Sequence, residues 1–279
     1  WEFEVDYTAT GKERSFFTSE HLNDRIIVPF CPESLLSGVN NKDFMPCVWY
    51  RRAIVIPETW AEYDVYLHFG AVDYKSEIYI NGISVKKHIG GWSPFKINIS
   101  PYLKNGINSL CVCAEDASRD DSHGRGKQSD RYASYGCCYT RVTGIWQTVW
   151  LECVPKDHIE RVRFYPNADN GKVGVFIKVE GTGTISARVS FNGMEMANRS
   201  GYILASEEIF MEIPLKEKDL WEAGKGRLYD VELCFGEDRV KSYFGLRSIR
   251  FDGFKFLLNG KSVFQRLVLD QGYYPDGIY

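Results

Sequence analysis

Apolar residues recur at every second position through most of this chain, and that spacing admits little besides β-structure. Val65, Leu67 and Phe69 alternate with Tyr66 and His68. Successive side chains of a strand point to opposite faces, so this run reads as a strand with one face buried. Ile78-Tyr79-Ile80 leads through Asn81-Gly82 into Ile83-Ser84-Val85. An Asn-Gly pair between apolar runs is a strong hairpin signal, because a type I′ turn needs positive φ at both central residues. Leu110 to Cys113 and Thr148 to Leu151 continue the pattern. Helical spacing is scarce; short turns are expected only near Ile99 to Lys104 and near Lys216 to Trp221. Many short strands with regular turn signals predict an all-β chain built of β-sandwiches.

A break falls at Val154-Pro155-Lys156. Beyond it the alternation resumes over Ile159 to Phe164, Gly174 to Val179, Ile185 to Phe191, Ile209 to Leu215 and Tyr229 to Phe235. About 90 residues of such strands suit an immunoglobulin-like sandwich, although no cysteine pair brackets a core tryptophan. A second break follows Gly245-Leu246-Arg247. Phe254 to Leu258 with Asn259-Gly260-Lys261 then predicts a hairpin, and Val263 to Leu269 a buried strand. A buried strand so near the end has no partners downstream, which suggests a truncated chain. The predicted divisions are 1–155, 156–247 and 248–279.

Charge narrows the function. A formal net charge of −3 over 279 residues lacks the basic excess of a nucleic-acid binder. No apolar stretch is long enough to span a bilayer as a helix. The cysteines are Cys31, Cys47, Cys111, Cys113, Cys137, Cys138, Cys153 and Cys234. They form no Cys-x-x-Cys pair and no zinc spacing, so free thiols, no metal and no cofactor are expected. That pattern fits a reducing cytoplasm better than secretion. Because the chain opens at Trp1 rather than Met, a lost export signal stays open.

Several segments follow one another in a specific order. Trp49-Tyr50-Arg51-Arg52 precedes Ile56-Pro57, then Leu67-His68-Phe69-Gly70-Ala71-Val72-Asp73-Tyr74. Ile78-Tyr79-Ile80-Asn81-Gly82 leads to His88-Ile89-Gly90-Gly91-Trp92-Ser93-Pro94-Phe95. Gly144-Ile145-Trp146-Gln147-Thr148-Val149-Trp150-Leu151-Glu152 and Phe256-Leu257-Leu258-Asn259-Gly260-Lys261, then Arg266, complete the series. In this order the segments resemble glycoside hydrolase family 2, the β-galactosidase and β-glucuronidase kind, over nearly the whole chain. The resemblance implies a jelly-roll galactose-binding-like sandwich, an immunoglobulin-like sandwich, and the truncated entry to a (β/α)8 barrel. It implies a retaining hydrolase of terminal β-linked sugars, β-galactoside or β-glucuronide, whose two catalytic glutamates lie on later barrel strands. A barrel needs about 250 residues, so no catalytic residue is assigned here and the chain alone is expected to be inactive.

The motifs themselves read mostly as structure. Gly90-Gly91 allows close backbone approach or positive φ. Trp146 and Trp150, four apart in an extended run, are expected on one face, filling a core rather than stacking on sugar. Arg51-Arg52 is expected to make paired contacts rather than an anion site. Gly124-Arg125-Gly126-Lys127-Gln128 lacks the Ser or Thr of a phosphate loop. The polar stretch Asp116 to Arg131 reads as a long loop, where function tends to sit on β-scaffolds. Glu207-Glu208, adjacent in a strand, would face opposite ways and is expected in solvent.

From the resemblance, residues just past the first barrel strand line the sugar subsite, which points to Asp270, Gln271 and Tyr274. A first-domain loop approaches the same mouth in the family, which points to Asp43. Many β-galactosidases carry histidines where this chain has Asp-Gln-Gly-Tyr-Tyr, so the exact sugar stays open. A carbohydrate substrate in the intact enzyme is the expected partner; homo-oligomer formation stays open. A free-standing carbohydrate-binding module or lectin is the alternative.

Overall fold

A computed structural model describes residues 1–120, 122 and 124–278. The chain divides into two units, one of residues 1–153 with 270–278 and the other Val154–Leu269.

The first unit holds β1 (Glu2–Val5), β2 (Asp24–Arg25), β3 (Cys47–Val55), β4 (Asp64–Phe69), β5 (Val72–Asp73), β6 (Lys75–Ile80), β7 (Ile83–Ile89), β8 (Phe95–Asn98), β9 (Ile107–Glu115), β10 (Gly144–Ile145) and β11 (Val149–Val154). An antiparallel sheet in the order β2-β1-β3-β9-β6-β7 lies opposite a sheet in the order β11-β4-β8, with β5 and β10 pairing separately. The alternation fills the space between them. Val65, Leu67 and Phe69 of β4 meet Phe3, Val48, Tyr50, Ile78, Ile80, Leu110 and Val112 in one core. The β6–β7 hairpin turns through Asn81 and Gly82 at φ 51° and 83°, the pair of positive angles that a type I′ turn requires.

The second unit holds β12 (His158–Asn167), β13 (Lys172–Glu180), β14 (Gly183–Phe191), β15 (Met194–Ile203), β16 (Glu207–Pro214), β17 (Tyr229–Phe235), β18 (Asp238–Phe244), β19 (Ile249–Asp252), β20 (Lys255–Leu258) and β21 (Lys261–Ser262). Sheets in the orders β12-β13-β16 and β15-β14-β17-β18 close on Val173, Val175, Ile177, Ile185, Ala187, Val189, Val231 and Leu233. This is an immunoglobulin-like sandwich. Tyr229, wholly buried at the start of β17, donates to Glu217 O at 2.9 Å and accepts from Asp219 N at 2.7 Å. A tyrosine pinning the upstream backbone in this way marks the corner of such sandwiches.

Several expectations are corrected. Val263–Leu269 forms no strand and is exposed, with Val268 93% and Leu269 85% accessible. A buried strand needs neighbours for its backbone groups; among the described residues only Val263 N is bonded to a neighbouring strand, donating to Phe256 O at 2.9 Å. The strand expected there is therefore not formed among the described residues. The stretch 270–278 packs with the first unit rather than following 248–269. Lys216 to Trp221 is not helical, because Tyr229 holds that backbone in an irregular turn. Trp146 and Trp150 do not share a core face. Strand pairing stops at Ile145 and restarts at Val149, so the alternation resets between them. Trp146 is half-buried, whereas Trp150 is 44% exposed and stacks on His68 at 4.7 Å. Arg51 bonds Glu2 at 3.2 Å and Arg52 lies over the Trp1 ring.

Candidate functional site

Irregular segments gather where β3 begins and β9 ends, two points held together by the pairing of Cys47 with Glu115. They are residues 28–46, the 116–143 loop, the 90–94 turn and the 270–278 tail. Beneath them the first unit buries polar side chains, among them Glu33, Asp73, Asp116, Gln128, Arg141 and Thr143.

Of these, Glu33, Gln128 and Arg141 anchor irregular backbone. Gln128 donates to Asp73 Oδ2 at 2.7 Å and accepts from Val142 N at 2.9 Å. Glu33 Oε2 accepts from Thr143 N at 3.2 Å, while its Oε1 has no hydrogen-bond partner among the described residues. Arg141 donates to Arg131 O at 2.7 Å and to Lys42 O, with its guanidinium over the Phe44 ring at 4.0 Å. Arg119 covers the same ring at 3.7 Å. Trp146 Nε1 donates to Gly91 O at 2.7 Å. Gly91 itself is obligatory: a Cβ there would lie 2.2 Å from Asp73 Oδ1.

The electrostatics follow from burial. Desolvation raises Glu33 to about 7, although Thr143 and Arg141 act against it. Desolvation, then the neighbouring charges of Asp73 and Glu33, raises Asp116 to about 8. Burial likewise lowers the Arg141 guanidinium from its ordinary value, with Glu33 opposing. Protonated carboxyls can sit in this interior at a cost that ionised ones exceed.

The residues singled out from sequence lie on the surface that this cluster supports. Asp43 is exposed, in a turn where its N donates to Asn41 Oδ1 at 3.0 Å, between Lys42 and Phe44 that Arg141 holds. Asp270 is exposed, its Oδ1 accepting from Gly272 N at 2.8 Å. Gln271 accepts from Lys127. Tyr274 is 57% exposed, with its backbone paired to Ile278 at 3.0 Å in both directions. The tail is docked by Tyr273, stacked on Tyr139 at 4.1 Å, by Ile278, buried with Cys31 and Val142, and by Asp276 O, which accepts from Leu36 N at 3.1 Å. The segment 127–143 therefore reaches both Asp43's turn and the tail. Gly124 to Gln128 is no phosphate loop, since Gln128 is buried on Asp73 and Lys127 is engaged with Gln271.

Sequence reasoning missed Glu33, Asp116, Gln128 and Arg141. The one local sign was Gly91, whose missing Cβ leaves room for the Asp73 carboxylate. The surface offers exposed carboxylates, an amide and a phenol, groups suited to hydrogen-bonding hydroxyls.

Comparison with known proteins settles the family. Residues 32–155 match the model for the sugar binding domain of glycosyl hydrolases family 2, and residues 157–247 match a second model of that family. The chain belongs to glycosyl hydrolases family 2. This family 2 chain is 27% identical over 240 residues to a β-galactosidase of Thermoanaerobacter pseudethanolicus, covering 79% of the chain and 31% of the relative. It is 23% identical to the mouse (Mus musculus) β-glucuronidase, over 79% of the chain and 38% of the relative. A β-glucuronidase structure from an uncultured Clostridium superposes with a TM-score of 0.72 at 24% identity, over 94% of the chain and 46% of that structure. A Ruminococcus gnavus β-glucuronidase in complex with D-glucuronic acid gives 0.73 at 20% identity, over 94% of the chain and 47% of that structure. The chain thus spans less than half the length of these relatives, and the structural likeness is one of fold.

Proposed function

We propose that this chain is the non-catalytic, substrate-flanking part of a retaining β-glycosidase that removes terminal β-linked sugars, β-galactoside or β-glucuronide, and that alone it turns over no glycoside. The observation that carries this reading is the burial of the site's carboxyl cluster. Retaining hydrolysis needs an acid and a nucleophile about 5–5.5 Å apart, flanking the sugar bond. Glu33, Asp73 and Asp116 are instead buried and tied to backbone, Gln128 and Arg141. The relatives named β-galactosidase and β-glucuronidase support the substrate class.

In the same reading Asp270, Gln271, Tyr274 and Asp43 face the sugar in the intact enzyme. The exposure of Asp43, Asp270 and Tyr274, on turns whose backbone is fixed from below, supports that role. The cysteine pattern supports a reducing cytoplasmic location, and sedimentation would establish whether the chain self-associates. The decisive assay incubates the pure chain with nitrophenyl β-galactoside and β-glucuronide. No release above the buffer blank is expected. Turnover that a substitution within this chain abolishes would overturn the proposal.

A further inference from the structure

Cys47 and Cys113 stand on neighbouring strands, β3 and β9, with their sulfurs 3.5 Å apart. The register pairs Cys47 with Glu115 and Trp49 with Cys113, so the two cysteines are diagonal neighbours on one face of the sheet. On β9, Leu110, Val112 and Ala114 face the sandwich core, whereas Cys111 and Cys113 face outward. That outer face is covered by the N-terminal segment: Phe16, Phe17 and Leu22 pack with Cys47, Trp49, Tyr79, Cys111 and Cys113. The cover has a single 3₁₀ turn, Phe16–Thr18, and no strand between Val5 and Asp24. Two ion pairs hold it to the sheet, Lys12 to Glu115 at 2.6 Å and Lys12 to Glu77 at 3.2 Å, and Arg14 to Asp6 at 3.0 Å braces it internally. Partly exposed pairs of this kind are individually weak. A segment with few ladder bonds opens more readily than the sheet below it.

We infer that Cys47 and Cys113 form a covalent modification site, a cross-strand disulfide made by exchange with an oxidised low-molecular-weight thiol such as glutathione disulfide. The first cysteine loses its proton, and its thiolate attacks one sulfur of glutathione disulfide. The S–S bond breaks, one glutathione thiolate leaves, and a mixed disulfide remains on the protein. The second cysteine, deprotonated in turn, attacks the protein sulfur of that mixed disulfide and expels the second glutathione. Two protein thiols are oxidised by two electrons, one glutathione disulfide is reduced to two thiols, and both protons end on glutathione. Side-chain rotation, with the local backbone movement that a diagonal pair requires, must shorten the sulfur separation from 3.5 Å to about 2.05 Å.

The cover controls the rate. While it is closed, the contact with Cys47 and then burial keep the Cys113 thiol protonated, and burial pushes Cys111 up to about 12. Exchange requires a thiolate and access, and opening of residues 6–22 supplies both. Cys111 has a different neighbour, the Phe16 carbonyl at 3.9 Å, and is not the pairing partner.

The test uses the whole chain, reduced and then incubated with glutathione disulfide, both in plain buffer and in urea below the unfolding midpoint. Free thiols are alkylated and the protein is digested without reduction. One linked peptide pair joining Cys47 to Cys113 is expected. It should form faster in dilute urea and raise the melting temperature of the first unit by about 5–15 °C. Cys111→Ser should keep the link and Cys47→Ser should abolish it, along with the thermal gain. Recovery of Cys47 and Cys113 from folded, oxidised protein as separately alkylated or glutathionylated peptides, or linked to other cysteines, would overturn the inference. The wild-type peptide map decides this even if Cys47→Ser folds poorly.

Discussion

Replacing Glu33 by Gln tests the account of the buried cluster directly. Glu33 titrates near 7 in the folded chain against an ordinary value of 4.5, chiefly because it is desolvated. A carboxyl whose folded pKa is raised contributes stability that is fully present below its unfolded pKa, about 4.5, and is lost as pH rises through its folded pKa, about 7. At about 1.4 kcal/mol for each pH unit between those values, the loss by pH 8 is roughly 3 kcal/mol. Gln keeps the shape and can offer its carbonyl to Thr143 N, but it never ionises. Wild type and Glu33→Gln should therefore agree to within about 1 kcal/mol at pH 4 and diverge above pH 5. Removing the Glu33 charge also relieves Asp116, whose pKa that charge helps to raise.

The variant should thus be more stable at pH 8 by about 6–12 °C in melting temperature, on the scale of a unit this size. Tryptophan fluorescence isolates the relevant transition, because Trp1, Trp49, Trp60, Trp92, Trp146 and Trp150 belong to the first unit and only Trp221 to the second. Melting curves at half-unit steps from pH 4 to 9 give the two profiles. If they run parallel between pH 5 and 8, or if the variant is the less stable at pH 8, then Glu33 is not held protonated by burial and the reasoning fails.

Gly91→Ala should destabilise the first unit by about 2 kcal/mol or more, because the new Cβ would lie 2.2 Å from Asp73 Oδ1 and the Asp73–Gln128 bond would have to give; urea unfolding measures it. Tyr229→Phe removes a hydroxyl that serves both Asp219 N and Glu217 O, and should cost the second unit about 1–3 kcal/mol, followed through Trp221. Asp270→Ala should leave the melting temperature of this chain within about 1 °C, since the carboxylate is exposed and bonds one local amide. In a longer form that carries a catalytic barrel, the same change should lower kcat/KM by roughly 10- to 150-fold through a lost charge-assisted bond to a sugar hydroxyl; an unchanged kcat/KM there would make Asp270 a structural residue.

The sandwiches were legible because a two-residue period is a local property. Each of Val65, Leu67 and Phe69 declares its face by its spacing alone, and Asn81-Gly82 declares its turn by the φ angles it permits. Where the reading failed, the local pattern was right about composition but blind to pairing. Val263–Leu269 has the apolar character of a buried strand, but burial depends on neighbours, and beyond the bond from Val263 N to Phe256 O the described residues give it no strand to pair with. Trp146 and Trp150 have the spacing of a shared face, but that spacing counts only along an unbroken strand, and the pairing lapses between Ile145 and Val149.

The surface candidates fared differently from the cluster beneath them. Asp43, Asp270, Gln271 and Tyr274 could be named because they sit in recognisable positions of a family pattern. Glu33 comes from the 28–46 segment, whereas Asp116, Gln128 and Arg141 are spread along the 116–143 loop with no regular period, so nothing in the local pattern marks them as meeting. A physical reason explains why polar groups occur there at all. Among its described residues the 116–143 loop has no strand before β10, so its buried N–H and C=O groups need partners that a sheet would otherwise supply. Arg141 serves the carbonyls of Arg131 and Lys42, Glu33 serves Thr143 N, and Gln128 serves Val142 N. An apolar filling could not replace them without orphaning that backbone. The cost of burying carboxyls beside a guanidinium is offset by the anchoring of the irregular segment 127–143. The turn bearing Asp43 and the tail bearing Asp270 are in turn fixed against that loop. Loosening any one anchor should therefore be felt at the surface before it is felt in the sandwich.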